Sequence, residues 1–399
     1  VAPGGATSLL VGAPLLLWRH HRAPVLLVLA FHIFGYALLD RLVRQTLGGR
    51  ERVLFALLYW LNPWRIYLSG FLWNPNYLPC FAAVHAWTAF RQRHSPGFWF
   101  SLVHVLATGI AFQVHASAAL LAAVSAVLFL RGYLKVHWPG ALGGGLIWIL
   151  TLLPWFLRVW NDPSLLPVSK GFPGRGLVLV YPLARGLEYW LRLSSLFLSR
   201  QIVRFDFRHC LGGTANAVLA PAALILTRFL LPLTVAFPLL ANLRLWRRGT
   251  RSRSFGRFPP EGSDRRWLQG YVGATFLAAV AVFALAPTTL MWWQATVLLH
   301  AAVLATVMWA GALLRTRYRR LARAAAWAHA AVGLLVILGV RFGNPQFRCS
   351  DRPELRGQRL RYDHPMFREL HIRGGCYSFG DPAGGWPDVL PTPAREEGR

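Results

Sequence analysis

Two short stretches hold the side chains that could do chemistry. The first, WLNPWRIYLSGFLWNPNYLP at 60–79, carries Arg65, Trp73, Asn74 and Asn76 around two Asn-Pro steps; the second, FQVHASAAL at 112–120, carries Gln113 and His115. An arginine fork binds a phosphate bidentately, amide and imidazole groups hydrogen-bond hydroxyls, and a tryptophan face stacks on a sugar ring. With Arg19 and Arg22 of the RHHR run added, these residues suit a lipid-linked sugar. Arg19, Arg22 and Arg65 would bind the donor phosphate, and Trp73, Asn74, Asn76, Gln113 and His115 would line the sugar pocket. Sugar transfer also needs a carboxylate to deprotonate the acceptor. Asp162 in the NDPS turn is the catalytic candidate, and it reads equally as a helix-boundary residue. Plainer readings stay open beside these. The aromatics could form an interfacial belt, Arg19 and Arg22 could touch phospholipid headgroups, and His115 could bridge two helices.

The elements that must position these residues are set by hydropathy. Over 399 residues, 55% are hydrophobic and 14% aromatic, with a mean hydropathy of +0.39, which exceeds what a soluble core needs. The class this implies is all-α, a polytopic transmembrane helical bundle. About ten spans are expected, at 23–39, 52–68, 77–90, 98–114, 116–130, 141–160, 217–240, 267–287, 291–314 and 324–340. The piece at 7–18 is too short and too Gly/Pro-interrupted for a span. Pro63 and Pro75 remove backbone donors and bias Asn62 and Asn74 away from helix, so the 60–79 stretch reads as a membrane exit and re-entry.

A formal charge of +28 would suggest nucleic acid in a soluble chain. Here the arginines fall between apolar spans and serve as topology determinants, so no nucleic-acid partner is expected. Arg41, Arg44, Arg50, Arg52, Arg91, Arg93, Arg131, Lys135, the run at 244–266 and Arg315 to Arg323 fall in alternate connections and mark the cytoplasmic side. That places the two motif stretches, a long 161–214 loop and the tail outside, in a bacterial inner membrane with a periplasmic C-terminus. Within the loop, 183–203 shows Arg185, Glu188, Arg192, Ser195 and Ser199 at three- and four-residue steps, the stripe of a helix lying in the interface plane. Two regions follow: a transmembrane domain at 1–342 and an extracytoplasmic tail at 343–399. Cys349 and Cys376 in that tail are expected to pair as a disulfide, while Cys80 reads as a small buried residue. No CxxC, HExxH, Walker or Rossmann pattern occurs. No cofactor is called for, with a divalent metal left open, and no soluble protein partner is implied beyond the lipid-linked donor and membrane lipids.

The order of short spans, the WNPNYLP re-entry, FQVHASAAL and a single long outer loop with an interfacial helix resemble the bacterial multispanning glycosyltransferases of superfamily C. Within these, the dolichyl-phosphate-mannose-protein mannosyltransferase and aminoarabinose-transferase-like branch is the one it resembles most. The resemblance covers the chain from Thr7 to about Val340 and implies a polyprenyl-phosphate sugar donor, periplasmic chemistry and inversion at the anomeric carbon. It also implies a catalytic carboxylate in the first outer loop. The chain opens on Val1 with no leader pattern, so that loop and one span are expected to lie upstream. Where the family's next outer loop often carries an aspartate, this chain has Asn74 and Asn76, which can hydrogen-bond a donor but cannot act as bases. Other classes compete: a transporter or flippase for a lipid-linked substrate, against which stands the lack of an internal repeat, and a glycan polymerase or ligase.

Overall fold

The computed structural model describes residues 5–18, 22–69, 74–163, 175–193, 213–226, 239–244, 247, 263–286 and 293–343. Among these residues the regular elements are helices, and no strand occurs. In chain order they are α1 (Ala6–Leu17), α2 (Arg22–Thr46), α3 (Gly49–Trp60), α4 (Pro63–Ser69), α5 (Leu78–Arg91), α6 (Phe98–Val114), α7 (Ala119–Leu130), α8 (Trp138–Asn161), α9 (Arg175–Leu179), α10 (Tyr181–Leu193), α11 (Gly213–Leu226), α12 (Asp264–Leu285), α13 (Leu299–Leu313) and α14 (Arg319–Gly343). Three 3₁₀ turns join them, at Asn74–Tyr77, Ala116–Ala118 and Gln294–Leu298.

Four segments are long and apolar enough to cross a membrane: Ala23–Thr46, Trp138–Asn161, Asp264–Leu285 and Gln294–Leu313. Ala6–Leu17, Phe98–Val114, Ala116–Leu130 and Gly213–Leu226 are apolar but shorter. The expected 52–68 span is in fact two helices, because Asn62 leaves the helix and caps the next one. Its Oδ1 accepts from the N–H of Trp64 at 3.0 Å and of Arg65 at 3.4 Å, and Pro63, which has no N–H to satisfy, opens α4. The expected 217–240 span is described only at 213–226 and 239–240. Cys80 is buried in α5, while Cys349 and Cys376 lie outside the described residues.

Burial sorts the helices. The most apolar window of Gln294–Leu313 is 94% buried and that of α8 is 17% buried, so α13 forms the centre and α8 the rim. The rim side of α8 exposes Leu142, Leu146, Ile149, Leu150, Leu153 and Leu157, a surface that fits lipid and that water would penalise. Parallel packing of α6 on α8 depends on small residues. A Cβ at Gly140 or Gly144 would run into the carbonyl oxygen of Phe98 or Leu102, and one at Gly109 into the Trp148 ring. Their lack of side chains lets the two backbones touch, which supplies the dispersion contact that holds apolar helices together in lipid.

The bundle has two distinct ends. At one, the first turns of α3 and α12, the C-terminal part of α2 and the residues just after α5 and α13 meet through Arg52 and Asp40 at 2.6 Å, Arg93 and Asp264 at 2.6 Å, and Arg315 and Glu51 at 2.7 Å. The 131–137 connection joins this end, where the Lys135 N–H donates to the Gln92 carbonyl and Trp267 Nε1 to the Tyr133 carbonyl. At the other end lie the Asn62 break, the Asn74–Tyr77 turn, the Val114–Ser117 turn and the end of α10.

Candidate functional site

Asn62 and Trp64 begin the site by holding a third element. Asn62 Nδ2 donates to the Leu193 carbonyl at 2.8 Å and Trp64 Nε1 to the Arg192 carbonyl at 3.0 Å, which satisfies carbonyls in the last turn of α10. The α10 helix is amphipathic. It buries Pro182, Gly186, Tyr189, Trp190 and Leu193 and carries Arg185, Glu188 and Arg192 along the other side, with Glu188 paired to both arginines. The polar stripe over 183–193 is therefore a face on which one carboxylate bridges two arginines and a net positive charge remains, and 194–203 lie outside the described residues.

Next to Trp64 in the chain is Arg65. It is 7% exposed, donates through Nε and Nη2 to the Trp60 carbonyl at 3.0 and 2.6 Å, and stacks over the Trp60 ring at 4.3 Å. No described carboxylate pairs with it. Its charge acts on His32 of α2 and on Tyr59 of α3. Among the described residues, the hydroxyls of the buried Tyr59 and Tyr77 make no hydrogen bond, and the buried His32 ring has the Asn76 backbone as its one polar neighbour besides the Arg65 charge. A buried cation with only a carbonyl and a ring as partners, next to open hydrogen-bonding groups, is costly to leave as it stands.

The second stretch arrives at the same end. Asn74 Nδ2 donates to the Val114 carbonyl at 3.0 Å, which ties the Asn74–Tyr77 turn to the end of α6. At the next residue, His115 Nδ1 accepts from the Ser117 N–H at 3.2 Å and lies 2.8 Å from Ser117 Oγ. Burial lowers its pKa from 6.5 to about 4, so the ring is neutral and Nε2 carries the proton as a donor. Gln113 is buried and donates to Thr151 Oγ1 of α8 at 2.7 Å, and Asn76 is fully buried.

Of the residues singled out in the sequence, Arg65, Asn74, Asn76, Gln113 and His115 thus share one end of the bundle. Asp162 does not join them: it ends α8, exposed, 11 residues beyond Thr151 and hence roughly 16 Å along the helix. Arg19, Trp73 and the side chain of Arg22 lie outside the described residues. His32, Tyr59 and Tyr77 were not among the sequence candidates. A lone histidine in the apolar run AFHIFGY was a usable signal for the first, and the tyrosines offered none beyond their place beside the Asn-Pro steps. Among the described residues, no group of three or more His, Cys, Asp or Glu could hold a metal. At the opposite end a cavity of about 630 Å³ opens between Arg50, Arg315, Arg317, Arg319 and Arg320. No family model matches the chain, and neither a curated protein nor a solved structure matches it.

Proposed function

We propose that the chain is an integral-membrane glycosyltransferase that moves a sugar from a polyprenyl-phosphate donor to an envelope glycan, lipid or protein acceptor. The observation that carries this reading is Arg65, more than nine-tenths buried and without a described carboxylate partner. It uses Nε and one Nη2 hydrogen on Trp60, which leaves the rest of the fork for a phosphate. The hydroxyl of Tyr59 and the ring of His32, which both feel the Arg65 charge, are the neutral donors that complete such a site. The neutral His115 and Asn74 at the same end of the bundle serve sugar hydroxyls. Asp162 is given no part in the step, and the base would come from a residue outside the described set.

In this reading the arginine-lined end faces the cytoplasm and the turn end the periplasm of a multi-pass inner-membrane protein, because basic residues stay on the side from which spans insert. The tail after 343 is then periplasmic. The resemblance to superfamily C set out above, with its span order and outer loop, supports the same assignment. The test is a comparison of cells with and without the full gene. Loss should remove one envelope glycan decoration and raise its lipid-linked donor pool; unchanged glycans and unchanged pools overturn the proposal.

A further inference from the structure

The cavity at the arginine-lined end takes no part in the site above, and the turn that walls it is held by its own hydrogen bonds. Between α13 and α14, Thr316 Oγ1 donates to the Leu313 carbonyl at 2.8 Å and accepts from the Tyr318 N–H at 3.2 Å, and the Arg319 N–H donates to the Thr316 carbonyl at 3.1 Å. The turn and the start of α14 bring Arg315, Arg317, Arg319 and Arg320 to the cavity, and Arg50 of α3 lines the same opening. Arg315 is neutralised by the buried Glu51 at 2.7 Å. Arg317 donates to the neutral Tyr318 hydroxyl at 2.9 Å and stacks over that ring at 5.0 Å. Among the described residues, no carboxylate pairs with Arg50, Arg317, Arg319 or Arg320. Four like charges around one cavity of about 630 Å³ repel one another, and the first turn of α14 adds the positive end of its dipole. A bound anion relieves that repulsion.

The position of the cavity selects the kind of anion. It opens at Leu314 and Arg315, where the membrane-length segment Gln294–Leu313 ends, and so lies at a lipid–water boundary. Arg320, Trp327 and Leu334 follow at seven-residue steps along one face of α14. All three are exposed, Trp327 at 71% and Leu334 at 53%. With a rise of about 1.5 Å per residue, Trp327 stands about 10 Å and Leu334 about 21 Å along the helix from Arg320, within the ~30 Å of a hydrocarbon core. A free phosphate would use the arginines and leave this apolar track bare. A lipid uses both, with its head in the cavity and its acyl chains against Trp327 and Leu334. The number of arginines also bears on the head: a single phosphate charge would leave three of the four guanidinium groups unmatched, and two phosphates leave fewer.

We infer that this cavity binds an anionic phospholipid with two phosphates in its head, held by Arg50, Arg317, Arg319 and Arg320, with its acyl chains on the Trp327–Leu334 face of α14. Such a site stands whether or not the Arg65 end transfers sugar. The test is the full chain, purified in a neutral detergent and titrated with diphosphatidylglycerol, with bound lipid counted by native mass spectrometry. One diphosphatidylglycerol should bind tightly, phosphatidylglycerol more weakly and phosphatidylcholine weakest, and equimolar inorganic pyrophosphate should not displace the lipid. Arg317→Gln, Arg319→Gln and Arg320→Gln together should weaken binding roughly tenfold or more. Arg41→Gln, Arg44→Gln and Arg91→Gln together remove as many charges from the same end outside the cavity and should keep the parent affinity. Equal losses in the two triple variants would reduce the effect to general attraction by a basic surface and overturn the site. Diphosphatidylglycerol held no tighter than phosphatidylcholine would also overturn it, and phosphatidylglycerol held as tightly would overturn the two-phosphate head. Displacement by pyrophosphate would overturn the lipid in favour of a soluble phosphate compound. If the cavity variant does not elute as a folded species, Arg320→Gln alone takes its place, with an expected loss of roughly fivefold and an undiminished affinity as the overturning result.

Discussion

At the arginine-lined end of the bundle, arginines outnumber acids but the acids Asp40, Asp264 and Glu51 all have a cation: Asp40 holds Arg52, Asp264 holds Arg93, and Glu51 holds Arg315 with Arg265 at 3.9 Å. Gly311 and Gly48 leave the room that the Glu51 side chain occupies, so the carboxylate is 1% exposed yet partnered. At the turn end, by contrast, Arg65 is as deep but leans only on a backbone carbonyl and an indole. Burial of charge is costly in both places. Where the protein offsets that cost internally, the group acts as a fastener between helices. Where it does not, the missing partner is best sought in a ligand, and an anion is the chemistry that Arg65 lacks.

That contrast breaks first at Arg65. Arg65→Gln should weaken binding of polyprenyl phosphate to the purified protein by about 1.5–3 kcal/mol, roughly ten- to hundredfold, the scale of a charge-assisted hydrogen bond. Arg65→Lys keeps the charge without the fork and should recover only part of it. Binding by Arg65→Gln equal to the parent's would make the turn end another fastener. The mirror experiment is Glu51→Gln. It should lower unfolding free energy in detergent by about 1.5–3 kcal/mol through loss of the Arg315 bond, and leave phosphate binding unchanged. A binding defect there would erase the distinction between the ends.

A smaller effect follows from His115, whose pKa is lowered by burial from 6.5 to about 4. A depressed histidine is neutral in both folded and unfolded chains above 6.5, so it adds no pH dependence there. As pH falls from 6.5 towards 4 the unfolded chain takes up a proton that the folded one refuses, and stability declines. His115→Gln should flatten that part of the melting profile. A profile of unchanged slope would mean that the ring is not buried as described.

Much of the fold was legible because hydropathy and proline act locally. The break at Asn62 follows from one missing N–H and one amide cap. The stripe of α10 follows from Arg185, Glu188 and Arg192 at helical spacing. The convergence of Asn74 on Val114 was legible only as two turns sharing an end; the hydrogen bond itself is a matter of three dimensions. What stayed hidden was relational. Gly140 and Gly144 sit four apart in GALGG, but the partner that needs them bare is Phe98 and Leu102 of another helix. An unsatisfied Tyr59 hydroxyl is a property of its surroundings, not of a tyrosine in a sequence. His85, His104 and His300 are far apart along the chain and are joined, through Ser125 and Tyr271, only when five helices are packed.

The weakest expected effect sharpens the comparison most cheaply. Arg52 and Asp40 make a bidentate pair at the arginine-lined end, at 2.7 and 2.6 Å, yet Arg52 is largely solvated. An exposed pair gains little over two hydrated ions, since water screens the attraction and holding two side chains still costs entropy. Arg52→Gln should therefore leave the melting midpoint within error of the parent, in low salt as in high. If instead it destabilises as strongly as Glu51→Gln, burial is not what separates fasteners from solvated pairs. The inference from Arg65's burial to a missing anion would then lose its premise.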